Sequence, residues 1–276
     1  GAILAMVNWP DFNPNHPTKV QPSSRRNRII TDAYEYGSVM KPFTVAAALE
    51  HGVVSPDTKF DCQEGKWRFG SRIIHDVHPH QELTVSEIIT HSSNIGASHI
   101  GLELGTEKFH RTLRAFGFGQ QCGILLPGET SGILRPKNKW NKHSLISVSF
   151  GKEIATTGLS LVAAYTSFAN EGFLIKPQIV KKVKNPTTNK TLYKLDGPVT
   201  TRRALAPETA NQVMRMLRKV VTSGTGQRVQ LDSYPVAGKT GTAALLSKSK
   251  PGYSKNRYLS SFIGMAPADN PKIIAL

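Results

Sequence analysis

The sequence is poor in the features that assign a chain to a class at sight. No apolar run reaches the roughly 18 residues of a membrane-spanning helix, and no charged-then-apolar leader stands at the start. Only two cysteines occur, Cys62 and Cys122, outside any C-x-x-C pair. That excludes a disulfide scaffold and leaves a single bridge between them open. No G-x-S-x-G elbow is present, which argues against an α/β-hydrolase. The stretch "TSGTGQR" has neither the glycine spacing nor the preceding strand of a phosphate loop.

Acidic residues are also scarce. Nineteen Asp and Glu face thirty-five Lys and Arg, a formal charge of +16. Such a charge favours anionic surroundings. The basic residues are scattered in twos and threes ("SSRRNR", "VKKVKN", "RMLRK") without interleaved aromatics, so no nucleic-acid partner is expected. His75, Asp76, His78 and His80 crowd together in "IIHDVHPHQ", but their spacing follows neither a helical nor a zinc-finger pattern. No metal and no cofactor is expected.

What is present is a folded chain of 276 residues, 39% hydrophobic, long enough for one large core or a core plus a lobe. Ala2 to Val7 read as a first strand, followed by a polar, proline-rich loop. A helix is expected from about Ser38 to Glu50, a hairpin in "KWRFGSRII", and a short helix in "TVSEIITH", opened by Thr84 and Glu87 at capping-box spacing. Helices follow over Ile95–Leu104, "TEKFHRTLRAFG", "TGLSLVAAYTSFANEG" and "APETANQVMRMLRKVVTSG". "YPVAGKTGTAALL" and "NRYLSSFIGMAP" read as neighbouring strands, and the closing "KIIAL" as a buried central strand. A strand, many helices and a late cluster of strands indicate a mixed α/β fold with an inserted helical lobe. The chain opens without an initiator Met and stops inside an apolar run, so it is expected to be a fragment of a longer protein.

Three short patterns carry chemistry. In "YEYGSVMKPF", Ser38 and Lys41 are three residues apart, which on a helix puts both on one face. A serine hydroxyl needs a base, and a lysine serves as one when burial or a nearby cation lowers its pKa. Pro42 places the pair at the helix start, where backbone N–H groups favour an oxyanion. In "HSSNIG", Ser92 and Asn94 offer a hydroxyl to relay a proton and a carboxamide to hold an amide. In "VAGKTGTAAL", Thr240 and Thr242 share one strand face, Lys239 supplies a cation, and Gly241 allows a close backbone approach. S-x-x-K, S-x-N and K-T-G in this order mark β-lactamases and penicillin-binding proteins.

Together with "GAILAMVNWPDFNPN", "SSNIGASHIGLELG", "GFGQQCGILLPGETSGIL" and "SSFIGMAPADNPKIIAL", these motifs make the whole chain, residues 1–276, resemble the transpeptidase domain of class B penicillin-binding proteins. The resemblance implies the penicillin-binding-protein and serine β-lactamase fold, a central antiparallel sheet flanked by helices with an all-helical lobe inserted. It implies a D,D-transpeptidase that cross-links peptidoglycan stem peptides ending in D-Ala-D-Ala and is inhibited by β-lactam antibiotics. Ser38 would be the acylated nucleophile and Lys41 its base. Ser92 would pass a proton to the leaving D-alanine, and Asn94 would hold the substrate amide. Lys239, Thr240, Gly241 and Thr242 would bind the terminal carboxylate, with the backbone N–H groups of Ser38 and Thr242 as oxyanion hole.

It further implies an upstream membrane anchor and non-catalytic module, a missing C-terminal closing helix, an extracytoplasmic catalytic domain at the cell membrane and a membrane glycosyltransferase partner. Two departures stand out: Tyr36 occupies the usual place of a proline, and "FGKEIATTGLSL" replaces the commoner G-Q-G and T-P-L-Q pattern. The rival readings are a serine β-lactamase, a D,D-carboxypeptidase and a non-catalytic β-lactam sensor. Between Asn94 and Lys239 there is no E-x-x-L-N segment of the kind that activates a deacylating water in β-lactamases.

Overall fold

A computed structural model describes residues 1–247 and 252–276. After a one-turn helix α1 (Arg28–Thr31) and a 3₁₀ turn Gly37–Met40, the chain enters α2 (Lys41–Glu50). Every residue of α2 from Lys41 to Ala48 is buried, because helices close over it on several sides. Phe43 is the hub. Its ring meets those of Phe116, Phe118, Tyr165 and Phe168 at centroid distances of 4.8 to 5.1 Å, the edge-to-face or tilted packing that aromatic rings favour.

The inserted lobe follows. Strands β1 (Lys59–Asp61), β2 (Lys66–Phe69), β3 (Arg72–His75) and β4 (Glu82–Thr84) form two short antiparallel pairs, β1 with β4 and β2 with β3. Helices α3 (Val85–His91), α4 (Asn94–Leu104), α5 (Thr106–Ala115) and α6 (Lys142–Ser149) make up the rest, with β5 (Ile133–Leu134) returning to β6 (Ile154–Ala155). The lobe is therefore helical with two small β pairs at its edge. The capping box opens α3 as expected: Glu87 N–H donates to Thr84 Oγ1 at 3.2 Å and Thr84 N–H to Glu87 Oε2 at 2.9 Å.

The chain then returns through α7 (Gly158–Ala169) and β7 (Phe173–Ile175), and runs into an outlying hairpin, β8 (Lys182–Lys184) with β9 (Thr191–Lys194). Strand β10 (Thr200–Arg203) pairs back on β7, and α8 (Pro207–Ser223) follows. Three antiparallel strands form the main sheet: β11 (Ala237–Leu246), β12 (Tyr253–Ala266) and β13 (Ile273–Ala275), in that spatial order. Helix α8 packs on β11 and also touches α2 and α3, which joins sheet to lobe.

Two expectations need correction, and one open question, the bridge between the two cysteines, is answered. Ala2 to Val7 make one bridge only, Ala2 with Gln178, because the segment lies on the surface with Ile3 and Met6 turned inward and Leu4 and Val7 outward. Among the described residues β13 is an outer strand with a single neighbour, and Ile273 is 54% exposed while Ile274 packs inward. Both thiols are free, each beside a hydroxyl instead of its sulfur partner: Cys62 near Ser93 at 3.6 Å and Cys122 near Ser160 at 3.3 Å.

Candidate active site

Ser38 lies on the 3₁₀ turn that runs into α2, so the helix begins at Lys41 and not at the serine itself. Two glycines clamp this turn. A Cβ on Gly151 would fall 2.0 Å from Gly37 O, and Gly151 also holds the left-handed φ of 85° that glycine adopts freely. On the other side a Cβ on Gly241 would fall 2.6 Å from Tyr36 O. The close approach that Gly241 permits is thus that of the protein's own nucleophile turn against β11. Tyr165 completes the support, its hydroxyl donating to Val39 O at 2.7 Å.

Two lysines converge from opposite sides. Lys41 and Lys239 are each 0% exposed, a rare condition for an ammonium group. Lys41 Nζ donates to the carbonyl of Ser92 and, at 3.2 Å, to Ser92 Oγ. Lys239 Nζ donates to the same Oγ at 2.9 Å and to Thr240 O at 3.2 Å. Burial first, then the charge of Lys239, holds the Lys41 pKa well below that of a free lysine, with Asp76 opposing. Burial alone brings Lys239 down to about 7. Ser92 sits at the C-terminus of α3 in the left-handed region, φ 62°, at a cost on the order of 1 kcal/mol.

The Ser38 hydroxyl makes no hydrogen bond among the described residues, so in the resting site Lys41 is aimed at Ser92. A neutral amine has two hydrogens and one lone pair. With both hydrogens on Ser92, a neutral Lys41 would keep its lone pair free. Ser38, Ser92, Asn94, Thr240, Gly241 and Thr242 line one cleft of about 740 Å³. The structure therefore brings together every residue singled out from the three motifs, the two buried lysines reaching the cleft through Ser92.

The whole chain, residues 1–276, matches the family described as penicillin binding protein transpeptidase domain. The chain belongs to the penicillin-binding protein transpeptidase family. It is 36% identical over 275 residues to the probable peptidoglycan D,D-transpeptidase PbpC of Pseudomonas aeruginosa, covering 99% of this chain and 46% of that protein. It is 35% identical over 285 residues to stage V sporulation protein D of Bacillus subtilis, covering 99% and 42%. The chain thus spans less than half the length of these two relatives. Among solved structures, the apo transpeptidase domain of Burkholderia pseudomallei penicillin-binding protein 3 superposes with a TM-score of 0.81 at 34% identity, covering 90% of this chain and 72% of that one. Penicillin-binding protein 3 of Mycobacterium tuberculosis in complex with aztreonam gives 0.83 at 31%, covering 90% and 56%.

This transpeptidase domain also uses residues whose roles the sequence did not announce. Asp76, met first in a histidine-rich loop, caps α4. Its carboxylate accepts from the Ser93 hydroxyl at 2.5 Å, from Ile95 N–H at 3.1 Å and from Asn94 N–H. A carboxylate at a helix N-terminus satisfies orphan donors and suits the dipole. The side chain of Asn94 donates to His75 O at 2.7 Å, so the end of β3 holds the Ser92–Asn94 turn in place. Thr225, in the stretch excluded as a phosphate loop, pairs its hydroxyl with that of Thr240 at 2.8 Å. Tyr36, in the family's proline position, is buried at 7% exposure, packs edge-on to Tyr34, and has its pKa pushed up to about 12 by burial.

Proposed function

We propose that this domain is a serine D,D-transpeptidase acting on peptidoglycan stem peptides that end in D-Ala-D-Ala, with Ser38 as the acylated nucleophile and β-lactams as inhibitors. The observation that carries the reading is the single Ser92 hydroxyl facing both buried lysines beside Ser38. Neutral Lys41 takes the Ser38 proton as Ser38 Oγ attacks the penultimate D-Ala carbonyl. The oxyanion is received by the backbone N–H groups of Ser38 and Thr242. The proton on Lys41 passes to Ser92 Oγ while Ser92 gives its own to the departing D-Ala amine, so the proton balance closes. An acceptor amine on a second stem peptide then attacks the Ser38 ester, its proton passing by way of Lys41 to Ser38 Oγ, which leaves as the free hydroxyl.

Lys239, Thr240 and Thr242 bind the terminal carboxylate in this reading, Gly241 bringing that strand against the Ser38 turn, and Asn94 bonds the substrate amide. The full-length protein would carry a membrane anchor and a further module upstream and a closing helix downstream, place this domain on the extracytoplasmic side, and work with a membrane glycosyltransferase.

Rapid hydrolysis of the acyl-enzyme would need a carboxylate free to hold water. Among the described residues two line the cleft, and both are engaged. Glu35 accepts from Glu153 N–H and from the Tyr253 hydroxyl, each at 2.8 Å, while Glu153 is paired to Arg135. Labelling with a penicillin, removing free drug and following the adduct tests this. Release over many minutes, speeded by a D-amino acid or stem-peptide amine, is the expected outcome. Loss within seconds in plain buffer would make the domain a hydrolase.

A further inference from the structure

Between Ile179 and Val199 the chain carries five lysines against a single acid, Asp196. Three of them, Lys181, Lys182 and Lys194, line a hollow of about 470 Å³ at the root of the β8–β9 hairpin, with Ile179 and Val180 as its apolar part. None of these residues lines the active-site cleft. We propose that this hollow is a second binding site for the polymeric substrate, which holds a strand of peptidoglycan by its stem-peptide carboxylates, apart from the cleft where Ser38 reacts. The inference rests on the function proposed above and adds a place where the wall polymer is gripped.

Strand pairing sets Lys182 directly opposite Lys194 and Val183 opposite Tyr193. Opposed residues project from one face and neighbours along a strand from alternate faces, so the hairpin carries a lysine pair on one side and an apolar pair on the other. Every residue of both strands is exposed. Like charges placed opposite each other destabilise a strand pair. The fold offsets this only in part. Lys194 reaches Asp196 at 2.8 Å in an exposed contact, while among the described residues Lys181 and Lys182 enter no ion pair. Exposed pairs of that kind contribute little, so the three ammonium groups keep a net positive charge. An anion lying between them would relieve the repulsion.

No arginine lines the hollow. A guanidinium fork fixes one planar anion, whereas a lysine is a point charge on a flexible stem that adapts to anions in many orientations. The lining therefore suits a repetitive chain of carboxylates more than one small anion. Stem peptides meet both halves of it, with carboxylates for the ammonium groups and alanine methyls for Ile179 and Val180. A concave site receives a chain, while a flat lipid surface would touch only its rim. A strand held here and in the cleft at once gains the effective concentration of a tethered ligand. The domain then stays on one polymer while Ser38 exchanges stem peptides.

The test is cosedimentation with purified insoluble peptidoglycan, using protein first acylated with a fluorescent penicillin so that the cleft is filled. The Lys181→Gln, Lys182→Gln, Lys194→Gln triple variant should bind about tenfold more weakly than the wild type. Amidating the polymer's carboxylates, or raising salt to about 1 M, where the screening length falls to about 3 Å, should weaken the wild type as much. A control variant, Lys66→Gln, Lys139→Gln, Lys142→Gln, removes the same charge from exposed positions elsewhere and should bind nearly as the wild type does. Both variants should take up penicillin at the wild-type rate. Equal weakening in the two variants would mean diffuse attraction by the basic surface and would overturn the site. Slowed labelling in the first variant, or wild-type binding to phosphatidylglycerol vesicles but not to the polymer, would overturn it too. Failure of Ser38 to label at all would instead overturn the transpeptidase reading.

Discussion

In the proposed mechanism, two buried lysines facing one hydroxyl set the pH range in which Ser38 can react. Lys41 must be neutral to accept a proton, so the second-order acylation rate falls on the acid side as Lys41 becomes charged. Lys239 must be charged to attract a carboxylate, and burial holds its pKa at about 7, so the rate also falls as pH rises above that value in the free enzyme. Lys239→Arg keeps its charge at any working pH. The alkaline fall should therefore disappear in that variant even though its maximum is lower. An alkaline limb unchanged in Lys239→Arg would assign it to another group. Asp76 gives a second residue-scale prediction. Asp76→Ala removes the acceptor for three donors at the Ser92–Asn94 turn and should slow acylation about 100-fold. Asp76→Asn keeps an oxygen for the two N–H groups and should slow it much less. Thr84→Ala, which loses only the cap of α3 at about 1 kcal/mol, should leave the acylation rate alone. A wild-type rate in Asp76→Ala would end this role. The grouping of Ser38, Lys41 and Lys239 was legible because the motif pattern points to it. Asp76 was not, since its three donors lie 17 to 19 residues away and nothing local points to them.

Between elements, the decisive contact is the one that presses the Ser38 turn between the Gly151 loop and β11. Gly151→Ala places a methyl within 2.0 Å of Gly37 O at a left-handed φ, which should cost about 3 kcal/mol or more. A lowered urea midpoint at constant m-value, together with slower acylation, is the expected result. Gly52→Ala makes the comparison, because its φ of 62° is also left-handed but its Cβ would meet nothing within 4 Å. It should cost only about 1 kcal/mol. Equal losses at both positions would mean that the turn tolerates displacement. Local signals located the capping box at Thr84, the Lys66–His75 hairpin and most helices. They failed where pairing is decided at a distance: Ala2 to Val7 have strand composition but only one bridge, and Gly241 yields to a turn two hundred residues away.

At the scale of the whole molecule, the site exists where the helical lobe meets the sheet. Ser38 and Lys41 come from the base of α2, Ser92 and Asn94 from the α3–α4 turn, and Lys239 from β11, so no single element contains the reaction. The fold class was legible from the order of helices and strands, but the convergence of both lysines on Ser92 Oγ was not, because it depends on α8 docking sheet and lobe together. The central claim, that this convergence activates Ser38, is tested most directly by mass spectrometry of the protein after reaction with a fluorescent penicillin and digestion. The adduct should lie on the peptide containing Ser38, be absent from Ser38→Ala, and form far more slowly in Lys41→Met. An adduct on another residue, or full labelling of Ser38→Ala, would contradict the account.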